Sequence, residues 1–223
     1  MLADLRETSP DLILHGADLA HGGADPAGVV DQIRDLGWPE VLGNTDEMLV
    51  DPDSLSVFAS RTPHLKKVFD AVAEIAAATR DALGAERIAG LRGLPRVQLH
   101  GPIALVHASP DSLWKALQVE AAEAEFEATY GKLGRPIAVY AHIHRPFIRS
   151  ISWMTVVNTG SVSLSYDGDP RAAYLLVDAA KPEIRRVTYD LDKEVRALFD
   201  SGIPYADWTA KMLGSACFQM PGQ

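Results

Sequence analysis

Five polar residues of metal-ligand type each stand where a short apolar run stops, and this places them before any fold is known. Asp18 follows the run Leu12-Ile13-Leu14-His15, Asn44 follows Val41-Leu42, and His107 follows Ile103-Ala104-Leu105-Val106. His142 and His144 follow Ile137-Ala138-Val139-Tyr140-Ala141. Apolar runs this short, bounded by turn residues, read as strands. Open α/β sheets gather their sites beyond the carboxyl ends of strands. Between the first two runs, residues 26–36 have helical spacing and stop at Gly37. The strand–helix–strand order predicts an α/β architecture.

Further along, Leu65, Val68, Phe69, Val72, Ile75 and Ala76 recur at steps of three and four, a helical stripe within residues 64–94. Gly84, Gly90 and Gly93 divide that segment into at least two helices. Residues 96–99 and 103–106 flank His100-Gly101-Pro102 and read as a β-hairpin. Residues 111–131 read as a helix whose Glu120, Glu123, Glu125 and Glu127 form a solvated face. Strands are expected around residues 155–157, 173–177 and 183–188, then a helix over 191–198. Turn-rich loops, Asn158-Thr159-Gly160-Ser161 and Tyr166-Asp167-Gly168-Asp169-Pro170, lie between these strands. Strands outnumber what one doubly wound sheet needs. The expected fold is therefore α/β (α+β), two packed sheets flanked by helices, in a single domain over residues 1–223.

Composition narrows the function. A formal charge of −9 argues against nonspecific binding to nucleic acid, which depends on lysine and arginine neutralising phosphates. A small anionic substrate remains compatible, because a bound metal ion reverses the local field. The single cysteine, Cys217, rules out an intrachain disulfide and suits a reducing compartment. No apolar run approaches the roughly 20 residues of a membrane span, and charges interrupt the N-terminus where a signal peptide is apolar. A cytoplasmic protein without membrane contact is expected.

Carboxylate, carboxamide and imidazole groups form a mixed oxygen and nitrogen set suited to Mn, Fe, Zn, Ni or Co. Two such ions about 3.5–4 Å apart can clamp a phosphate and activate water, so phosphoester hydrolysis is the matching reaction class. On a strand, His142 and His144 would point the same way, with Ile143 on the opposite face. Each residue also has a plainer reading. Asp18 can cap the next segment, Asn44 can be a left-handed turn residue, and His107 can be a hydrogen-bonded interior histidine. His15 reads as an interior residue, and His21, His64 and His100 as surface ones. Arg145 directly follows the histidine pair and can meet a substrate phosphate, its plainer reading being a surface arginine in a loop. A serine hydrolase is disfavoured because neither Ser109 nor Ser161 lies in a Gly-x-Ser-x-Gly elbow. The HxHxDH run of metallo-β-lactamase-like hydrolases is also missing.

The order Gly16-Ala17-Asp18, Gly43-Asn44-Thr45-Asp46, Val106-His107-Ala108 and Ala141-His142-Ile143-His144 resembles that of the calcineurin-like metallophosphoesterases. The closest likeness is to their small bacterial and archaeal phosphodiesterase branch. Val157-Asn158-Thr159-Gly160-Ser161-Val162 looks like that family's VNPGSV loop, and residues 167–171 look like the DGDPR that often follows it. The resemblance implies a four-layer double β-sandwich with flanking helices and a binuclear metal centre at one edge. It implies that Asp18 bridges the metals, that Asn44, His107 and His142 hold one ion, and that His144 holds the other. Asn44 and the metals would stabilise charge on the phosphoryl oxygens while metal-bound hydroxide attacks phosphorus. The substrate implied is a small phosphate ester or nucleotide.

Two departures from the family pattern stand out. The family's opening Asp-x-His strand has no counterpart here, since residues 1–7 look like the last turns of the helix that follows it. The expectation is that the native start lies upstream; the alternative is a catalytically impaired phosphate-binding or regulatory module with an incomplete metal site. A homo-oligomer is compatible with either. Thr45, assigned to the substrate, stands where many relatives carry a histidine thought to protonate the leaving group. Diesters or good leaving groups are therefore favoured over alkyl monoesters.

Overall fold

The runs Ile103–Val106 and Ile137–Tyr140 contain no polar residue. Such strands suit a sheet covered on both faces. The computed structural model describes residues 1–222 and places both runs at the centre of such a sheet. The helices and strands begin with α1 (Leu2–Thr8), α2 (Pro26–Leu36), α3 (Asn44–Val50), α4 (Asp53–Ala59) and α5 (Lys66–Arg92). Next come β1 (Val97–His100), β2 (Ile103–Val106), α6 (Glu123–Tyr130), β3 (Ile137–Tyr140), β4 (Phe147–Ile151) and β5 (Met154–Asn158). The chain continues through β6 (Ala172–Asp178), β7 (Lys181–Val187), α7 (Leu191–Asp200) and α8 (Ala206–Ser215).

The main sheet has the order β1-β2-β3-β5-β4. The inner pairs β2–β3 and β3–β5 are parallel, and β1 and β4 close the edges antiparallel. Successive side chains take opposite faces. Leu105, Val139 and Val157 face a layer made by the β6–β7 hairpin through Leu175, Val177 and Ile184. Val106, Ala138, Tyr140 and Val156 face α6 through Phe126 and Tyr130. Each fully buried side chain of this kind contributes roughly 1.5–3 kcal/mol. A helical layer joins α2, α3 and α5 through Val30, Met48, Leu49, Ala76 and Leu83, while α8 packs Trp208 and Met212 on Val68, Ala71 and Ile75. This is the expected α/β class, a central sheet flanked by helices.

Local outcomes differ from expectation for identifiable reasons. The runs at residues 11–15 and 41–42 form no ladder beyond one parallel bridge, His15 with Glu40. Pro39 accepts from His15 N at 2.9 Å but has no N–H of its own with which to extend the pairing. Leu14 and Val41 nonetheless enter the core, so the apolar pattern reports burial rather than strand. The helix expected over 111–131 is confined to Glu123–Tyr130. Upstream, Ser112 Oγ accepts from Trp114 N and Lys115 N, both at 3.1 Å, and such side-chain bonds compete with helix. The break expected at Gly84 is present as a kink with φ 70° inside α5. Among the described residues, no helix is long and apolar enough to cross a membrane.

Candidate metal and phosphate site

The parallel strands β2 and β3 end side by side, and one further rung, Ala141 N donating to His107 O at 2.9 Å, carries the ladder to the first histidine. The buried Asn158 at the end of β5 secures the next turn, its Nδ2 donating to Ala141 O while Gly160 N donates to its Oδ1 at 2.9 Å. Beyond Ala141 the backbone is no longer extended: His142 and His144 both take left-handed conformations, φ 60° and 56°. The histidine pair therefore lies in a loop, not on a strand, and the expected common direction is replaced by two separate environments. His142 Nδ1 lies 2.9 Å from Asn44 Oδ1 and 3.2 Å from His107 Nε2. His144 Nδ1 instead donates to Leu164 O at 2.5 Å, and its ring stacks on Tyr166 at 4.9 Å. That bond leaves the His144 Nε2 lone pair available as a ligand.

Asp18 and Asn44 arrive from the helical side. Ala17 and Asp18 are also left-handed, φ 81° and 58°. Four such non-glycine residues in one place mark strain held by the surrounding structure, as functional sites often show. Asp46 is what holds these two loops together. Its fully buried carboxylate accepts from Asp18 N at 2.9 Å, Leu19 N at 3.2 Å and Gly43 N at 3.0 Å. Asp18 Oδ1 in turn accepts from Thr45 N at 3.0 Å. In the sequence Asp46 stands out only as the last residue of Gly43-Asn44-Thr45-Asp46. The available signal was an acid three residues after the residue preceding a helix, the reach-back half of a capping box.

Asn44 Oδ1 also lies 2.9 Å from His107 Nε2, which stands 3.3 Å from Asp18 Oδ2. His107 Nδ1 is 3.0 Å from Gly16 O, a partner that takes only a donated hydrogen. This places a hydrogen on Nδ1 and turns Nε2 toward the cluster. Where His107 is neutral and His142 carries its hydrogen on Nε2, four lone pairs converge at 2.9–3.3 Å and repel one another unless positive charge sits among them. Atoms about 2.1 Å from a single ion, at right angles, are about 3.0 Å apart, so the spacing suits a divalent cation. Burial alone would raise the Asp18 carboxyl, but His107 beside it holds it well below the ordinary carboxylate range. Burial opposes the charged form of His107, yet Asp18 outweighs it and the net shift is upward. His142 is pushed down to about 3 by burial and by His107, so it stays a neutral ligand at ordinary pH. Among the described residues, no three His, Cys, Asp or Glu side chains alone form a metal-holding group.

The other expected residues lie around this centre. Thr45 Oγ1 is buried without a hydrogen-bond partner among the described residues. Arg145 lines a cavity of about 650 Å³ together with His142, Ile143 and Gln118, but its guanidinium pairs with Glu120 at 2.9 Å. A substrate phosphate would have to share it. His15 accepts from Ala17 N at 3.0 Å, the interior role expected of it. His21, expected at the surface, is half-buried: its Nδ1 is enclosed without a partner among the described residues, and burial takes its pKa down to about 4.

Gly43 is required for space rather than for backbone freedom, since its φ is −104°. A Cβ at this position would fall on Asp18 Oδ1 and lie 2.8 Å from the Ala17 methyl. Gly43→Ala is expected to push the Asp18 carboxylate off its position and weaken manganese binding about 10–100-fold. Metal titration by calorimetry checks this, and unchanged affinity would refute the crowding argument.

The sequence model of the calcineurin-like phosphoesterase superfamily domain matches residues 1–181. An uncharacterized protein of Methanocaldococcus jannaschii is 26% identical over 236 aligned residues, covering 96% of this chain and 90% of that protein. The fold is similar to that of a metallophosphoesterase from Sphaerobacter thermophilus, with a TM-score of 0.76 and 22% identity over 96% of this chain and 93% of that one. It is similar also to a hypothetical protein of Pyrococcus horikoshii OT3, with a TM-score of 0.79 and 18% identity over 98% and 91% of the two chains. With its site at the strand ends of this fold, the chain belongs to the calcineurin-like phosphoesterase superfamily.

Proposed function

We propose that this protein is a divalent-metal-dependent phosphodiesterase acting on a small phosphate ester or nucleotide in the cytoplasm. The observation that carries this reading is the convergence of Asp18, Asn44, His107 and His142 at 2.9–3.3 Å, with His142 also lining the 650 Å³ cavity. Asp18, Asn44, His107 and His142 would hold one ion, and His144, through its free Nε2, would contribute to a second. Bound divalent ions of this kind supply Lewis acidity toward a phosphoryl oxygen and activate water at neutral pH. Arg145 orients the phosphate, whereas the Thr45 hydroxyl is enclosed and would have to be uncovered to donate to one of its oxygens. Because Thr45 cannot act as a general acid, the leaving group must depart with its own stability or take a proton from solvent. This favours diesters of acidic alcohols.

One observation favours the alternative of a phosphate-binding module. The contacts of His144 are with Leu164 and Tyr166, and no hydrogen bond joins it to the other four residues among those described. Both readings are tested by metal analysis of the purified chain together with hydrolysis of bis(p-nitrophenyl) phosphate in manganese. Turnover that is lost with a chelator and restored by manganese supports the phosphodiesterase. Phosphate binding without turnover supports the module, and neither binding nor turnover defeats both.

A further inference from the structure

The cavity beside His142 is larger than a phosphoryl group needs, and part of its lining is aromatic. At about 650 Å³ it has room for a whole small molecule and is widely open to solvent. Phe218 lines it and is 49% exposed, which leaves much of an apolar ring open to water. That ring is nevertheless positioned: it stands perpendicular to Tyr166 at 6.1 Å, and Tyr166 is itself stacked on His144. The aromatic wall is thus anchored to a candidate ligand residue. Gln118 lines the same cavity, and its carboxamide makes no hydrogen bond among the described residues. A carboxamide offers one acceptor and two donor hydrogens, the complement of a base edge.

We infer that the cavity takes a nucleoside phosphoester, with its base stacked on Phe218 and its base edge met by Gln118, a reading that rests on the phosphodiesterase proposal. A planar ring recovers the exposed face of Phe218, while the phosphate lies toward Arg145 and His142. Base–aromatic stacking has a size that binding experiments resolve easily.

The test is calorimetry on the manganese-loaded chain with AMP and with ribose 5-phosphate, which share the phosphate and differ by the base. AMP is expected to bind at least about tenfold more tightly. Phe218→Ala and Phe218→Leu should reduce AMP to the affinity of ribose 5-phosphate, whereas Phe218→Tyr should keep the difference. Ribose 5-phosphate itself should be unaffected by all three. Equal affinity of the two ligands for the unsubstituted chain, or equal weakening of both by Phe218→Ala, would overturn the inference. If phosphodiester turnover persists in that case, the phosphodiesterase reading stands without the base site. Failure of both ligands to bind, together with absence of turnover, removes both.

Discussion

His142→Ala is expected to lower phosphodiester hydrolysis by about a thousandfold or more and to remove one bound ion per chain, with the fold retained. The size follows from the role: a Lewis-acidic ion is worth several kcal/mol of transition-state stabilisation, and each 1.36 kcal/mol is tenfold in rate. The imidazole contributes one of the four converging atoms, 2.9 Å from Asn44 Oδ1 and 3.2 Å from His107 Nε2. Its removal leaves Asn44 and His107 facing a gap. The backbone at this position is left-handed whichever side chain is present, and it is held by Ile143 N donating to Ala141 O at 2.7 Å. Alanine pays the same conformational cost as histidine, so loss of activity will not be loss of structure. Turnover on bis(p-nitrophenyl) phosphate, metal content and circular dichroism together check this. Undiminished turnover with a full metal complement would refute the site.

Asp46→Ala should act in the opposite order, on stability first and activity second. Three backbone N–H groups, of Asp18, Leu19 and Gly43, end on this one buried carboxylate. Each buried donor left unpaired costs roughly 1–3 kcal/mol, and partial entry of water brings the expected total to about 3 kcal/mol. Burial and the nearby Asp18 charge already push the Asp46 pKa up to about 6, so the carboxylate is retained against an electrostatic cost. Asp46→Asn keeps one acceptor oxygen and turns an N–H₂ toward at least one of the donors; its loss should fall between the two. Urea unfolding measures the stability, and manganese titration measures the accompanying displacement of Asp18. A variant as stable as the unsubstituted chain would show that the two loops are held in some other way.

Much of this arrangement is legible in the sequence because apolar runs and turn residues act locally. The hairpin at Gly101-Pro102, the strand that precedes His142 and the helix closed by Gly37 all follow from residues within a few positions of one another. What escapes the sequence is decided by distant partners. Asp46 looks like any helix-start acid until its donors from residues 18 and 19 are seen. Residues 111–122 have helical composition, but Ser112 diverts their backbone, and Leu117 O is taken by the Tyr140 hydroxyl at 2.7 Å. The strand Phe147–Ile151 escaped notice because it follows the histidine loop directly, and α8 because Trp208 and Met212 find their apolar partners on the far-removed α5. The spacing of His142 and His144 predicts a common direction on a strand, and the structure gives a loop instead. Sequence spacing carries no mark of the left-handed turn that sends the two rings to different neighbours.

The candidate ligands are divided between two parts of the molecule that, among the described residues, share no continuous sheet. His107 and His142 follow strand ends of the main sheet, whereas Asp18 lies in a loop and Asn44 begins α3, segments whose only ladder contact among the described residues is the single bridge between His15 and Glu40. An ion at their meeting point would work as a rivet across a seam as well as a reagent. Its binding energy would be drawn upon whenever the two halves separate, so the melting temperature of this protein and its supply of metal would rise and fall together.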